Sequence, residues 1–132
     1  MTDRESKFFV ISWDGDVAIL KLIDQAHYKM SDIEVLEAFR KDLLGFLDKH
    51  EPKKILVDFS NLWRIGCLAL GGAAVKGVLI SAKRRSERCH TVWSFCGMSA
   101  PVRQCYELSR LDSIFPMYES RQAAMGAFPD AT

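Results

Sequence analysis

Lys54-Ile55-Leu56-Val57-Asp58-Phe59 decides how this chain folds. The run opens on one cation, becomes continuously apolar and meets an acid near its end. A strand wetted on one face alternates apolar and polar residues. This one does not, so both its faces must be covered, as in the middle of a mostly parallel sheet with helices on its two sides. Asp58 then marks the carboxyl end of that strand, where the chain leaves the sheet.

Upstream, Ser31-Asp32-Ile33-Glu34 has the spacing of a capping box, whose hydroxyl and carboxylate satisfy free amides at a helix start. Leu36, Phe39, Leu43, Phe46 and Leu47 recur at helical spacing, which predicts an amphipathic helix ending near His50, before Pro52. Further upstream, Phe8 to Trp13 and Val17 to Ile23 are β-branched and aromatic runs separated by Asp14-Gly15-Asp16. That pattern predicts a hairpin.

Downstream, a connection through Trp63 and Ile65 leads into an Ala-, Leu- and Gly-rich segment ending in Lys83-Arg84-Arg85-Ser86-Glu87-Arg88, cations that suit a helix C-terminus. Thr91 to Cys96 reads as a second buried strand. Gly97-Met98-Ser99 then turns into a helix with Ser99 as N-cap and Pro101 in its first turn, running to about Leu108. Ile114 to Tyr118 is expected as a short edge strand, since Pro116 has no amide to donate. Ser120 caps a last helix carrying Ala123, Ala124, Ala127 and Phe128. The predicted order β-β-α-β-α-β-α-β-α implies right-handed crossovers onto a mixed, mostly parallel α/β sheet of four to five strands with about four helices.

The 132 residues fit one domain, 1–132, and 48% hydrophobic against 27% charged residues is enough to build its core. Mean hydropathy is −0.03. A net charge of +1 gives no electrostatic reason to expect nucleic acid, and no apolar run is long enough to insert in a membrane. A cytoplasmic protein is the expectation. Cys67, Cys89, Cys96 and Cys105 form no CxxC pair and read as reduced, mostly buried thiols.

Catalytic and cofactor chemistry finds little support. A phosphate-binding loop needs Lys and a hydroxyl after its last glycine. Gly66 and Gly71 are followed by Gly72-Ala73, and Gly72 and Gly77 by Val78-Leu79. No GxGxxG is present. His27, His50 and His90 lack metal-ligand spacing. Cys67, near a helix start, invites a nucleophile reading, but no histidine lies nearby in sequence to act as base, and a buried thiol is the better reading. The Lys83 to Arg88 cluster, with Lys76 before it, reads as a solvated face, although it has the charge to attract an anion. Arg84-Arg85-Ser86 has the form of a basophilic kinase site. No catalytic residue, metal or cofactor is expected.

From Lys54 onward the chain resembles the STAS domain, the module of bacterial anti-sigma factor antagonists that is also appended to sulfate transporters. Three segments carry the resemblance: Val57-Asp58-Phe59-Ser60-Asn61-Leu62, Cys96-Gly97-Met98-Ser99-Ala100-Pro101-Val102-Arg103, and Leu111-Asp112-Ser113-Ile114-Phe115 with the Ser120-Arg121-Gln122-Ala123-Ala124 that follows. The opening hairpin and first helix agree in order only. The resemblance implies a docking loop at the start of the second helix, in which the family carries an Asp-Ser-Ser-Gly-Leu-Gly segment and a partner kinase phosphorylates a serine.

Here that segment departs from the family. Counting forward from Asp58 aligns it with Gly66-Cys67-Leu68-Ala69-Leu70-Gly71 and puts Leu68 at the serine. Counting back from Ser99 aligns it with Gly72-Ala73-Ala74-Val75-Lys76-Gly77 and puts Ala74 there. The two counts differ by six residues, which implies an insertion near the loop, and neither leaves a hydroxyl at the family position. The resemblance therefore implies a non-enzymatic, protein-binding domain without the usual phosphoacceptor. Its contact residues would be Asp58, Ser60, Gly66, Cys67, Leu68, Leu70, Gly72, Ala74, Val75 and Lys76, with the basic end of the second helix as an added contact. The partner would be an anti-sigma factor or kinase, or a membrane transport complex with a STAS subunit. The alternative is a small-molecule or nucleotide binder at the carboxyl ends of the strands, with Lys76, Lys83 and Arg84 supplying anion contacts.

Overall fold

The computed structural model describes residues 8–22, 33–60, 73–108 and 110–128; the side chains of Ile33, Val35, Leu36, Ala73 to Lys76, Pro101 and Cys105 lie outside that description. The hairpin forms as expected. β1 (Phe9–Asp14) and β2 (Val17–Leu22) pair antiparallel with Asp14 opposite Val17, and Gly15 turns the chain at φ +61, a conformation that side chains with a Cβ rarely adopt. α1 (Ile33–His50) follows and stops where Glu51 takes φ 43, one residue before Pro52. The Ser31 cap lies outside the described residues.

β3 (Lys54–Asp58) is the central strand. It pairs in parallel with β2 on one side and with β4 (Val92–Cys96) on the other. α2 (Ala73–Ser86) crosses over between β3 and β4 and ends in a 3-10 turn over Glu87–Cys89, closed by His90 at φ 56. α3 (Ala100–Leu108) leads through a 3-10 turn at Leu111–Ser113 to β5 (Met117–Tyr118), which pairs in parallel with β4. α4 (Arg121–Ala127) closes the order. The described strands thus form one five-stranded sheet, β1-β2-β3-β4-β5, parallel except for the hairpin.

Alternation along β3 sends Ile55 and Val57 to one face and Leu56 and Asp58 to the other. The first face carries the larger core: Phe39, Leu43, Phe46 and Leu47 of α1, Val78, Leu79 and Ala82 of α2, and Val102 and Tyr106 of α3 pack on Ile55, Val57, Trp93 and Phe95. Phe95 and Phe115 stack with centroids 4.5 Å apart. Among the described residues the second face is covered by α4 and the Phe128 that follows it, with Val17, Ile19, Leu56 and Cys96 under Ala124 and Phe128. β3 is therefore buried on both sides, as its uninterrupted apolar run required.

Two local expectations need correction. β5 spans only Met117–Tyr118, because the Ile114 and Phe115 amides bond back to the Leu111 carbonyl, at 2.9 and 2.8 Å, and Phe115 is drawn into the larger core. Pro116 still joins the edge by offering its carbonyl to the Phe95 amide at 2.8 Å. Ser99 does precede α3, with its carbonyl accepting the Arg103 amide, but its hydroxyl is buried without a hydrogen bond instead of capping the helix. Ser120 caps as expected: its side chain accepts the Ala123 amide at 3.1 Å. Among the described residues no helix is long and apolar enough to cross a membrane.

Candidate functional site

Asp58 is where the candidate site begins. Its position at the end of β3 points the side chain to the α4 face, and the residue is only 5% exposed. A buried carboxylate must be paired or hydrogen-bonded, and this one is both. Oδ1 accepts the Ser60 amide at 2.9 Å, which closes a tight turn as the chain leaves the sheet. Oδ2 accepts Nη2 of Arg121, the first residue of α4, also at 2.9 Å. Burial opposes the charged form. The Ser60 amide, the Arg121 guanidinium and the Ser60 hydroxyl together outweigh it and hold the carboxyl below the ordinary aspartate range.

β4 supplies the wall of this site. Asp58 stands opposite Cys96 in the parallel register, and the Phe59 amide donates to the Cys96 carbonyl at 2.9 Å. Gly97 follows at φ +76, and a Cβ there would lie 2.8 Å from Asp58 Oδ1 and 3.2 Å from the Ser60 amide nitrogen. Only glycine permits both the left-handed backbone and this approach. Burial, with the Asp58 charge adding to it, pushes the Cys96 thiol up to about 11, so it is neutral at physiological pH and inert as a nucleophile.

The expected contact residues divide into three groups. Asp58 and Ser60 lie together at the end of β3, Asp58 buried and Ser60 exposed. Ala74, Val75 and Lys76 fall in the first turn of α2, with side chains outside the description. Gly66, Cys67, Leu68, Leu70 and Gly72 lie outside the described residues. Two residues that hold the site together, Arg121 and Gly97, were not among those expected. A signal existed for each: Gly97 immediately follows the strand that neighbours β3, and Arg121 follows a capping serine in the closing pattern.

The basic end of α2 is a different case: Arg84, Arg85 and Arg88 are exposed, in keeping with a solvated face, while the anion-contact and kinase-site readings need correction. Arg85 donates from Nε and Nη2 to the two carboxylate oxygens of Asp48 at 2.9 and 2.7 Å, and Arg88 adds a contact at 3.3 Å. Lys83 lies 3.8 Å from Glu87. Most of these cations therefore face acids of the chain itself. Lys83 and Arg84 also sit in the last turn of α2, beside the starts of β3 and β4, at the end of the sheet opposite Asp58. They do not converge with it on one anion. Ser86 is buried, donates to the Lys83 carbonyl and accepts Trp93 Nε1 at 2.8 Å, so a kinase cannot reach it in the folded protein.

Among the described residues, no group of three or more His, Cys, Asp or Glu side chains is placed to hold a metal ion. Cys89 and Cys96 are free thiols, Cys89 half-buried and Cys96 buried; Cys67 and the Cys105 side chain lie outside the description. His50 is exposed at the end of α1, in ring contact with Trp13 and Phe46, and His90 is exposed at the α2 exit; His27 lies outside the described residues.

No family model and no curated protein matches the sequence. Solved structures do match the fold. A Thermotoga maritima protein described as a putative anti-sigma factor antagonist aligns in its solution structure with a TM-score of 0.70 at 18% identity, over 96% of this chain and 93% of that one. Its crystal structure gives 0.66 at 21% identity, over 89% and 92%. An anti-sigma-factor antagonist (STAS) domain protein from Planctomyces limnophilus gives 0.66 at 16% identity, over 90% and 96%. A chain from a structure of the stressosome, titled a signal integration and transduction hub, gives 0.64 at 18% identity, over 88% and 92%. With its antiparallel opening hairpin, parallel remainder and these matches over most of its length, this chain has the STAS fold.

Proposed function

We propose that the protein is a non-enzymatic regulatory domain, residues 1–132, that docks a protein partner through the segment from Ser60 to Lys76 and lacks the phosphorylation switch at the family position. One observation supports this most directly. The best-placed ionisable group at the carboxyl end of the sheet, Asp58, has its carboxylate occupied by Ser60 and Arg121, so it builds the chain's exit from the sheet and is not held ready as a general base. What leaves that exit is a segment rich in Leu, Ala and Gly, with no Ser or Thr between Gly66 and Gly77. Such a composition suits an apolar contact and offers a kinase nothing to modify.

The partner class that fits is a switch-type anti-sigma kinase, with a transport complex as the other candidate. The test is size-exclusion chromatography and calorimetry with a purified kinase of that class, using wild type, Leu68→Glu and a surface control, Arg84→Glu. The reading expects a complex that Leu68→Glu abolishes and Arg84→Glu leaves intact, with no phosphate added between Gly66 and Gly77. A complex indifferent to Leu68→Glu would overturn the docking segment. A rise of several degrees in melting temperature with one nucleotide, and no complex with protein, would favour the ligand-binding alternative instead.

A further inference from the structure

Three separate segments meet on the carboxylate of Asp58: the exit of β3 through Ser60, the turn after β4 through Gly97, and the start of α4 through Arg121. Their exposures differ in a way that gives the cluster a direction. The Asp58 side chain is 8% exposed and the Arg121 side chain 44%. The acid cannot turn out to water, whereas the guanidinium can. On the β4 side the carboxylate fills the space that a Cβ on Gly97 would need, since one built there would lie 2.8 Å from Oδ1.

We propose that Arg121 is a positioning residue: through Asp58 it holds the chain leaving β3 in register with the turn after β4, so that α4, on the far side of the sheet from α1 and α2, governs the conformation of the docking segment's first residues. The proposal rests on the docking reading for its biological consequence, not for its geometry. α4 is anchored independently by Ala124 and Phe128 against Val17, Ile19 and Leu56, so the helix stays seated when the arginine is removed. What is lost is the partner of one carboxylate oxygen. The acid is then left buried on the Ser60 contacts alone, an under-compensated charge that is relieved only by local opening of the β3 exit, which parts the Ser60 amide from its acceptor. An acidic group on a bound partner would act on the same lever by drawing the exposed guanidinium away.

Amide hydrogen exchange on the isolated protein tests this. Arg121→Met is expected to accelerate exchange at Ser60 by about tenfold or more, while Ile55 to Val57 of β3 and Leu43 to Leu47 of α1 stay within about twofold of wild type, the pattern of a local opening. Arg121→Lys restores the charge and should recover most of the protection. An unchanged Ser60 amide in Arg121→Met, or acceleration spread evenly over β3, α1 and Ser60, would overturn the proposal, as would failure of lysine to rescue. Because no partner is present, a negative result removes the positioning role and leaves the docking reading to its own test.

Discussion

Two aspartates, each paired with arginine, sit at opposite ends of the sheet and show how little the pairing geometry says by itself. Asp48 at the amino end of the parallel strands has the richer set of arginine bonds: two from Arg85 and a third from Arg88. Asp58 at the carboxyl end has a single bond from Arg121. Yet the Asp48 pair is open to solvent, with side chains 40% and 45% exposed, and the Asp58 side chain is 8% exposed. Water screens the first pair and offers its ions a near-equal alternative. The second acid has no alternative once its partners leave. The better-looking ion pair thus ties α1 to α2 at modest benefit, and the sparser one determines how the chain enters the candidate docking segment.

The largest effect that can break this contrast is at Gly97. Gly97→Val places a side chain at φ +76 and drives its Cβ into Asp58 Oδ1 and the Ser60 backbone. We expect a loss of about 2–3 kcal/mol, seen as a fall of about 10 °C in melting temperature. A melting point within a degree of wild type would show that the close approach at Asp58 is easily relieved.

Next is Ser86, the buried hydroxyl at the opposite end. Ser86→Ala leaves Trp93 Nε1 buried without an acceptor and is expected to cost about 1–2 kcal/mol in chemical denaturation. The same geometry predicts that a basophilic kinase adds phosphate to Ser86 only in denatured protein, a point mass spectrometry of the folded and unfolded chain can check.

A smaller effect separates the two carboxylates by pH. Both are held below the ordinary value of 3.8, Asp48 chiefly by the Arg85 hydrogen bond and Asp58 by its bonds winning against burial. A depressed folded pKa means stability that is present above the unfolded value and lost as the pH falls through the folded one, below 3.8. Asp58→Asn should therefore flatten the stability curve between about pH 5 and 2 relative to wild type. The smallest expected effect is Asp48→Asn, whose melting curve should nearly overlay wild type in ordinary buffer and fully overlay it at high salt. A large, salt-insensitive loss at Asp48 would reverse the ranking of the two sites.

The elements that could be read along the chain are those specified by local patterns. The unbroken apolar run of β3, the helical spacing of Phe39, Leu43, Phe46 and Leu47, the Gly15 turn and the Ser120 cap each depend on neighbours within a few residues, and each appears where the pattern put it. Where a distant contact intervened, local reading fell short. Ser86 sits in a kinase-like string, but Trp93 claims its hydroxyl; the cluster from Lys83 to Arg88 has the charge to attract an anion, but Asp48, on α1, pairs with Arg85 and Arg88. At the candidate site Asp58 was legible as the end of a strand, whereas its partner Arg121 lies 63 residues further along and could be paired with it only in three dimensions.

Residue order alone determined that strands alternate with helices, that β3 is central, and that no Ser or Thr lies between Gly66 and Gly77, since these follow from side-chain chemistry and short-range spacing. The tertiary structure decided which charges neutralise one another, which hydroxyls meet solvent, and that α4 reaches across the sheet to the exit of β3. Burial and long-range pairing set those outcomes, because a group's electrostatic environment is made by whatever the fold packs against it.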